Sequence, residues 1–129
     1  MPLVRFDLMV GRTDEELRTL LDAAHRAVVS AFGVPERDRY QIVHEHSVLR
    51  MIIEDTGLGF TRTNAVVVIT IVSRPRTERA KLRLYEELCR ELDAICGIAP
   101  SDVVISLQTN TDADWSFGMG RAQFITGEL

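Results

Sequence analysis

Pro2 is the first residue in this chain that could do chemistry, because it directly follows Met1. An initiator methionine is generally removed when a small residue such as proline follows it. The mature chain would then begin with a secondary amine in place of a peptide nitrogen. Model α-amino groups titrate near ~8, and a proline amine is intrinsically more basic. Its neighbours could tune that nitrogen to act as a base, an acid or an iminium-forming nucleophile. Many proteins begin Met-Pro, so Pro2 needs company to carry weight. Arg74-Pro75-Arg76 offers some. Pro75 biases Arg74 toward extended backbone, and side chains two apart on an extended segment point the same way. Two guanidinium groups just before a helix N-terminus suit a carboxylate; otherwise they are two solvated surface arginines. Asp38 sits in the loop Val34-Pro35-Glu36-Arg37-Asp38-Arg39. It is a turn or capping residue unless that loop borders Pro2. The segment Trp115 to Phe124 holds the one Trp and two of the five Phe, flanked by glycines. It reads as an apolar wall over a pocket, as an intersubunit packing arm, or as both.

Other candidates are weaker. His44 and His46 could share a strand face, but no third ligand has suitable spacing for a metal. His25 reads as an exposed helix residue. Asn110-Thr111-Asp112-Ala113-Asp114 resembles part of a calcium loop but lacks the later Gly and Glu. Cys89 and Cys96 lie nearly two turns apart in one apparent helix, too far for an intrachain disulfide, and read as reduced core residues.

The elements that must position these residues emerge when the chain is slid against itself by 64 residues. Gly11-Arg12-Thr13-Asp14 then falls on Pro75-Arg76-Thr77-Glu78, Leu20 on Leu84, Gly33 on Gly97, and Asp38 on Asp102. Each copy predicts a strand (Leu3 to Val10, Ala65 to Val72), a helix and a second strand (Tyr40 to His46, Val103 to Gln108). Thr13-x-x-Glu16 is a capping box, with Leu17, Leu20, Leu21, Ala24, Val28, Ala31 and Phe32 on one helical face. The second helix starts near Thr77, with Leu82, Tyr85, Cys89, Leu92 and Cys96 as its expected apolar stripe. Gly33 and Gly97 stand where helix C-terminal glycines belong. Met51 to Phe60, containing Thr56-Gly57-Leu58-Gly59, reads as a turn or short hairpin.

These elements predict one α+β domain over residues 1–129. Its β-α-β units span about 2–47 and 65–108, and a C-terminal arm spans about 110–129. The expected fold is a four-stranded sheet with two helices on one face. The run Ala65 to Val72 is apolar on both sides, which calls for cover on both faces. Helices supply one cover, and a second subunit is the expected other.

Composition narrows the function class. At 129 residues and 46% apolar, the chain suits one domain with a real core, not disorder. A net charge of −4 argues against a general nucleic-acid or anionic-membrane binder. The start MPLVRFDLMV does not resemble a signal peptide, so the expected location is the cytoplasm.

Taken together, these motifs resemble the tautomerase superfamily, whose members use an amino-terminal proline on β-α-β units. Within it, the chain is most similar to the malonate semialdehyde decarboxylase family. The likeness rests on Pro2, Asp38-Arg39-Tyr40-Gln41, Ser73-Arg74-Pro75-Arg76-Thr77 and Asn110 to Gly118. The resemblance implies a homotrimer, no cofactor and no metal. It implies catalytic roles for Pro2, Asp38, Arg74 and Arg76, and substrate contacts from Arg74, Arg76, Trp115, Phe117, Phe124 and Leu129. It implies decarboxylation of a small 3-oxo acid, malonate semialdehyde, to acetaldehyde and carbon dioxide. The alternatives are a tautomerase or hydratase of small 2-oxo or unsaturated acids, or a non-catalytic trimeric ligand-binding protein. Val66 takes the second-copy position of Pro2 and has no free amine, so one site per chain is expected.

Overall fold

The computed structural model describes residues 1–129. Its main elements are β1 (Leu3–Met9), α1 (Asp14–Phe32), β2 (Tyr40–His46), β3 (Val67–Ser73), α2 (Glu78–Cys96), β4 (Val103–Thr109) and a short α3 (Gln123–Thr126). Local chemistry sets the helix bounds. The Thr13 hydroxyl accepts the Glu16 N–H at 3.1 Å, and the Glu16 carboxylate accepts the Thr13 N–H at 3.0 Å. This is the reciprocal capping box foreseen from sequence. Thr77 caps α2 through the Ala80 N–H. Gly33 and Gly97 end the two helices at φ 64° and 67°, left-handed backbone that a Cβ would strain.

The sheet runs β2-β1-β3-β4. The outer pairs are parallel and the central pair, β1 with β3, is antiparallel. Val4, Phe6 and Leu8 alternate inward from β1, as do Val67, Ile69 and Ile71 from β3. They meet Leu20, Ala24 and Val28 of α1 and Leu84, Leu88 and Leu92 of α2 in one core of 18 buried residues.

Several details depart from the sequence reading. The α2 stripe is rotated: Leu84 and Leu88 are fully buried, whereas Leu82 is 53% exposed. Leu84, Leu88 and Leu92 recur every four residues, which lines them up along the seam with α1 and the sheet. Tyr85, Cys89 and Cys96 are only half-buried at its edge. His25 is not exposed but 7% accessible, and its Nε2 lies 2.7 Å from the Glu36 carbonyl oxygen. The 64-residue offset fits the helices yet leaves the strands out of step. Inward residues are even-numbered in β1 and odd-numbered in β3, so Pro2 faces the core. Val66 instead packs with Met9 and Met51 on the opposite face. Residues 51–60 form a turn with no strand; Asp55 accepts the Gly57 and Gly59 N–H groups.

Away from the helices, the second sheet face is partly covered by Met51. It also carries a polar cluster in which His46 Nε2 meets Asp7 at 2.7 Å, with His44 at 3.8 Å. Asp102, buried to 2%, accepts the Thr63 N–H at 2.7 Å and so ties the inter-unit linker to β4. No helix is long and apolar enough to cross a membrane.

The seam predicts a sharp contrast on α2. Leu88→Ala should cost about 2–5 kcal/mol, and Leu82→Ala within about 0.5 kcal/mol, as read by denaturant midpoints. Equal losses would contradict the assigned stripe.

Candidate active site

Three chain segments meet at one end of the sheet. Leu3 pairs with Tyr40 at the start of β2 and with Val72 near the end of β3. Continuing that antiparallel register brings the chain's beginning beside Ser73 and Arg74. Pro2 is fully buried there and shares a narrow space of about 10 Å³ with Asp38, Tyr40 and His25. That space admits no substrate. Beside it opens a cavity of about 380 Å³ bounded by Met1, Asp38, Arg74, Arg76, Phe124 and Leu129.

Asp38 reaches this position because the loop after α1 turns tightly. Its N–H donates to the Pro35 carbonyl at 2.9 Å, and His25 grips the carbonyl of Glu36. Arg74 and Arg76 flank Pro75 in the β3–α2 connection. Arg74 Nε donates to the Asp112 carboxylate at 2.7 Å, and its guanidinium carbon lies 4.0 Å from the Phe124 ring centre. Arg76 has no carboxylate partner. It donates to the Ser73 hydroxyl at 3.1 Å and the Phe32 carbonyl at 3.2 Å, and lies 4.7 Å from the Phe32 ring centre.

The aromatic arm forms two layers. Phe124 and Leu129 touch the cavity, whereas Trp115 and Phe117 stack behind them. Phe117 meets Phe124 edge-on at 5.4 Å and lies nearly parallel to Trp115 at 5.2 Å and Tyr40 at 5.8 Å. Trp115 Nε1 donates to Asn110 at 2.7 Å, which satisfies its polar edge.

Sequence reasoning missed Arg37 and Glu128, which also line the cavity, and Asp112, which holds Arg74. Arg37 adjoins Asp38, so its neighbourhood was visible. Glu128 is placed by its pairing with Arg121 at 3.1 Å, a contact no local pattern reveals.

The electrostatics follow from this crowd. The Met1 amine is held below its ordinary value, first by burial and then by the Arg76 charge, with Arg74 adding to the effect; Asp38 opposes them. Burial and nearby Arg74 also lower Arg76. An amine, a carboxylate and two guanidinium groups thus face one small cavity. Such a set can bind a small acid and move a proton.

Sequence profiles described as tautomerase enzyme match residues 38–118 and residues 2–61. The chain belongs to the tautomerase family. It is 55% identical over its full length to the whole of "Probable tautomerase YrdN" of Bacillus subtilis (strain 168). It is equally identical, 55%, to a malonate semialdehyde decarboxylase whose crystal structures address decarboxylase and hydratase activities. That fold matches with a TM-score of 0.97 over 98% of each chain. A second malonate semialdehyde decarboxylase, inhibited by 3-bromopropiolate, is 43% identical; its TM-score is 0.94, covering 98% of this chain and 97% of that one.

The charges around the terminus predict opposite responses in two variants. In protein retaining Met1, Asp38→Asn should lower the amine's titration further, and Arg76→Gln should raise it. The pH dependence of amine acylation measures both, and a common direction would contradict this geometry.

Proposed function

We propose that the chain is a cofactor-independent decarboxylase of a small 3-oxo acid, malonate semialdehyde, releasing acetaldehyde and carbon dioxide. The observation that carries this reading is the convergence of the amino terminus, Asp38, Arg74 and Arg76 on one cavity. The 55% identity to a malonate semialdehyde decarboxylase supports the substrate. Met1, where present, stands between the Pro2 nitrogen and the cavity; its removal opens the way to a secondary amine.

In the proposed reaction the Pro2 ammonium donates a hydrogen bond to the aldehyde oxygen. Arg74 and Arg76 hold the carboxylate and fix its angle to the carbonyl. The carbon–carboxylate bond breaks, carbon dioxide leaves, and its electron pair forms the enolate of acetaldehyde. A proton from solvent water adds at carbon and completes the aldehyde, so each turnover consumes one proton. Asp38 favours the ammonium that the arginines disfavour. Phe124 and Leu129, backed by Phe117 and Trp115, present apolar surface to a carboxylate departing as a neutral gas. A rival route passes through an iminium on neutral Pro2. Hydration of an unsaturated acid is the second reading, supported by the related enzyme's hydratase activity and by Asp38 as a candidate for activating water.

The working form is proposed to be a homotrimer in the cytoplasm. The partly uncovered sheet face and the exposed Leu49, Ile52 and Phe60 of the linker support assembly. Free thiols at Cys89 and Cys96 suit a reducing compartment.

Met1-free protein should release carbon dioxide from malonate semialdehyde, and Pro2→Ala should lose at least about 100-fold in kcat. Because the ammonium is the active form, the rate should be full below the amine pKa and fall as pH rises through it. A rate that climbs through that range instead would point to base chemistry. Borohydride trapping on Pro2 would favour the iminium.

A further inference from the structure

The resemblance gives Asp112 no role, yet it makes the one ion pair of Arg74. It opens a short 3-10 turn, Asp112–Asp114, closed by Asp114 accepting from the Thr111 N–H and hydroxyl at 2.7 and 2.8 Å. The turn is anchored where it matters. The Asn110 N–H donates to the carbonyl of Ser73, the residue before Arg74, at 2.9 Å. Asp112 therefore moves with the strand end that carries the arginine.

Two contacts define how that guanidinium sits. The Phe124 ring, 4.0 Å from its central carbon, confines the group from one side. Asp112 takes its Nε edge at 2.7 Å and fixes its rotation. Both terminal nitrogens of Arg74 are left without a protein acceptor. Arg76 differs, since Nε and Nη1 are already spent on Ser73 and Phe32. Of the Arg74/Arg76 pair, Arg74 is the one that keeps its end-on fork free, the arrangement that grips a carboxylate with two parallel hydrogen bonds.

We propose that Asp112 is a positioning residue: by holding the Nε edge of Arg74 it keeps that arginine's terminal fork aimed at the substrate carboxylate. The proposal rests on the cavity being a small-acid site and requires no turnover. It acts through Arg74 alone, so its effect vanishes when Arg74 is absent.

A double-mutant cycle on Met1-free protein tests this, with 3-hydroxypropionate as an unreactive three-carbon acid and calorimetry as the readout. Asp112→Ala should weaken binding by about tenfold. Asp112→Asn keeps an oxygen for Nε and should recover most of that loss. In an Arg74→Ala background, Asp112→Ala should cost nothing more. Full additivity of the two losses would overturn the proposal, as would unchanged affinity in Asp112→Ala or no binding by the unmutated protein. Should Asp112→Ala fail to fold, the cycle runs with Asp112→Leu, which keeps the size of the side chain but offers Nε no acceptor, against Arg74→Ala, and additivity there is equally fatal. Carbon dioxide release is assayed separately. Its absence alongside intact coupling would sink the decarboxylase reading and leave the role of Asp112 standing.

Discussion

Strand β1 is pinned between a parallel partner and an antiparallel one, and its first residue stands next to the chain's own beginning. Parallel pairing places the start of β2, and the Asp38 loop before it, beside that beginning. Antiparallel pairing places the end of β3, and the two arginines after it, on the other side. No long-range coincidence is needed to assemble the candidate site. Once β1 takes the central position, the terminus has nowhere else to lie. The cost is the burial of a charged amine among cations, which the structure registers as a lowered amine pKa. Asp38 offsets part of that cost and is itself 91% buried, its relative accessibility being 9%.

The two arginines experience that environment differently. Arg74 is neutralised by Asp112 and stacked on Phe124, so it is stable in the empty protein. Arg76 is half-buried with only a hydroxyl and a carbonyl as acceptors. A guanidinium left without a counter-ion in a partly desolvated site carries an unmet electrostatic demand. A carboxylate, as the proposed substrate carries, would satisfy it. In the proposed small-acid site, affinity would therefore arise from a deficit in the free protein as much as from the geometry of the contacts. The acidic chain as a whole does not oppose this, because fields at such distances are screened within about 10 Å at ordinary ionic strength.

What could be read from sequence was what the chain settles locally. Thr13 with Glu16, and the glycines at 33 and 97, announce helix ends through contacts no more than five residues away. Pro2, Asp38, Arg74 and Arg76 were legible as residue types, and the repeat placed them at element ends. Asp112 and Glu128 were not legible. Their partners lie 38 residues away in one case and on a seven-residue return in the other, and nothing in a solvated-looking acidic residue marks the pairing. His25 misled for a similar reason. An imidazole on an amphipathic helix looks like surface until the carbonyl of Glu36 folds back to meet it. The α2 stripe was misread because Leu82 and Leu84 both fit a helical rhythm, and only packing against α1 selects between them.

The duplicated unit shows how equivalent residues of one architecture line a cavity at one end and anchor a linker at the other. Arg12 and Asp102 repeat Arg76 and Asp38, but both serve the linker. Arg12 donates to the Ala65 carbonyl at 2.8 Å, and Asp102 takes the Thr63 N–H. At that end the chain passes continuously into β3, so backbone groups consume the charges. The one-residue phase slip in β3 also turns Val66 away from the helices, onto the face where Met51 packs. The repeat partners of Asp102 and Arg12, Asp38 from the first copy and Arg76 from the second, instead line the open cavity together with Met1.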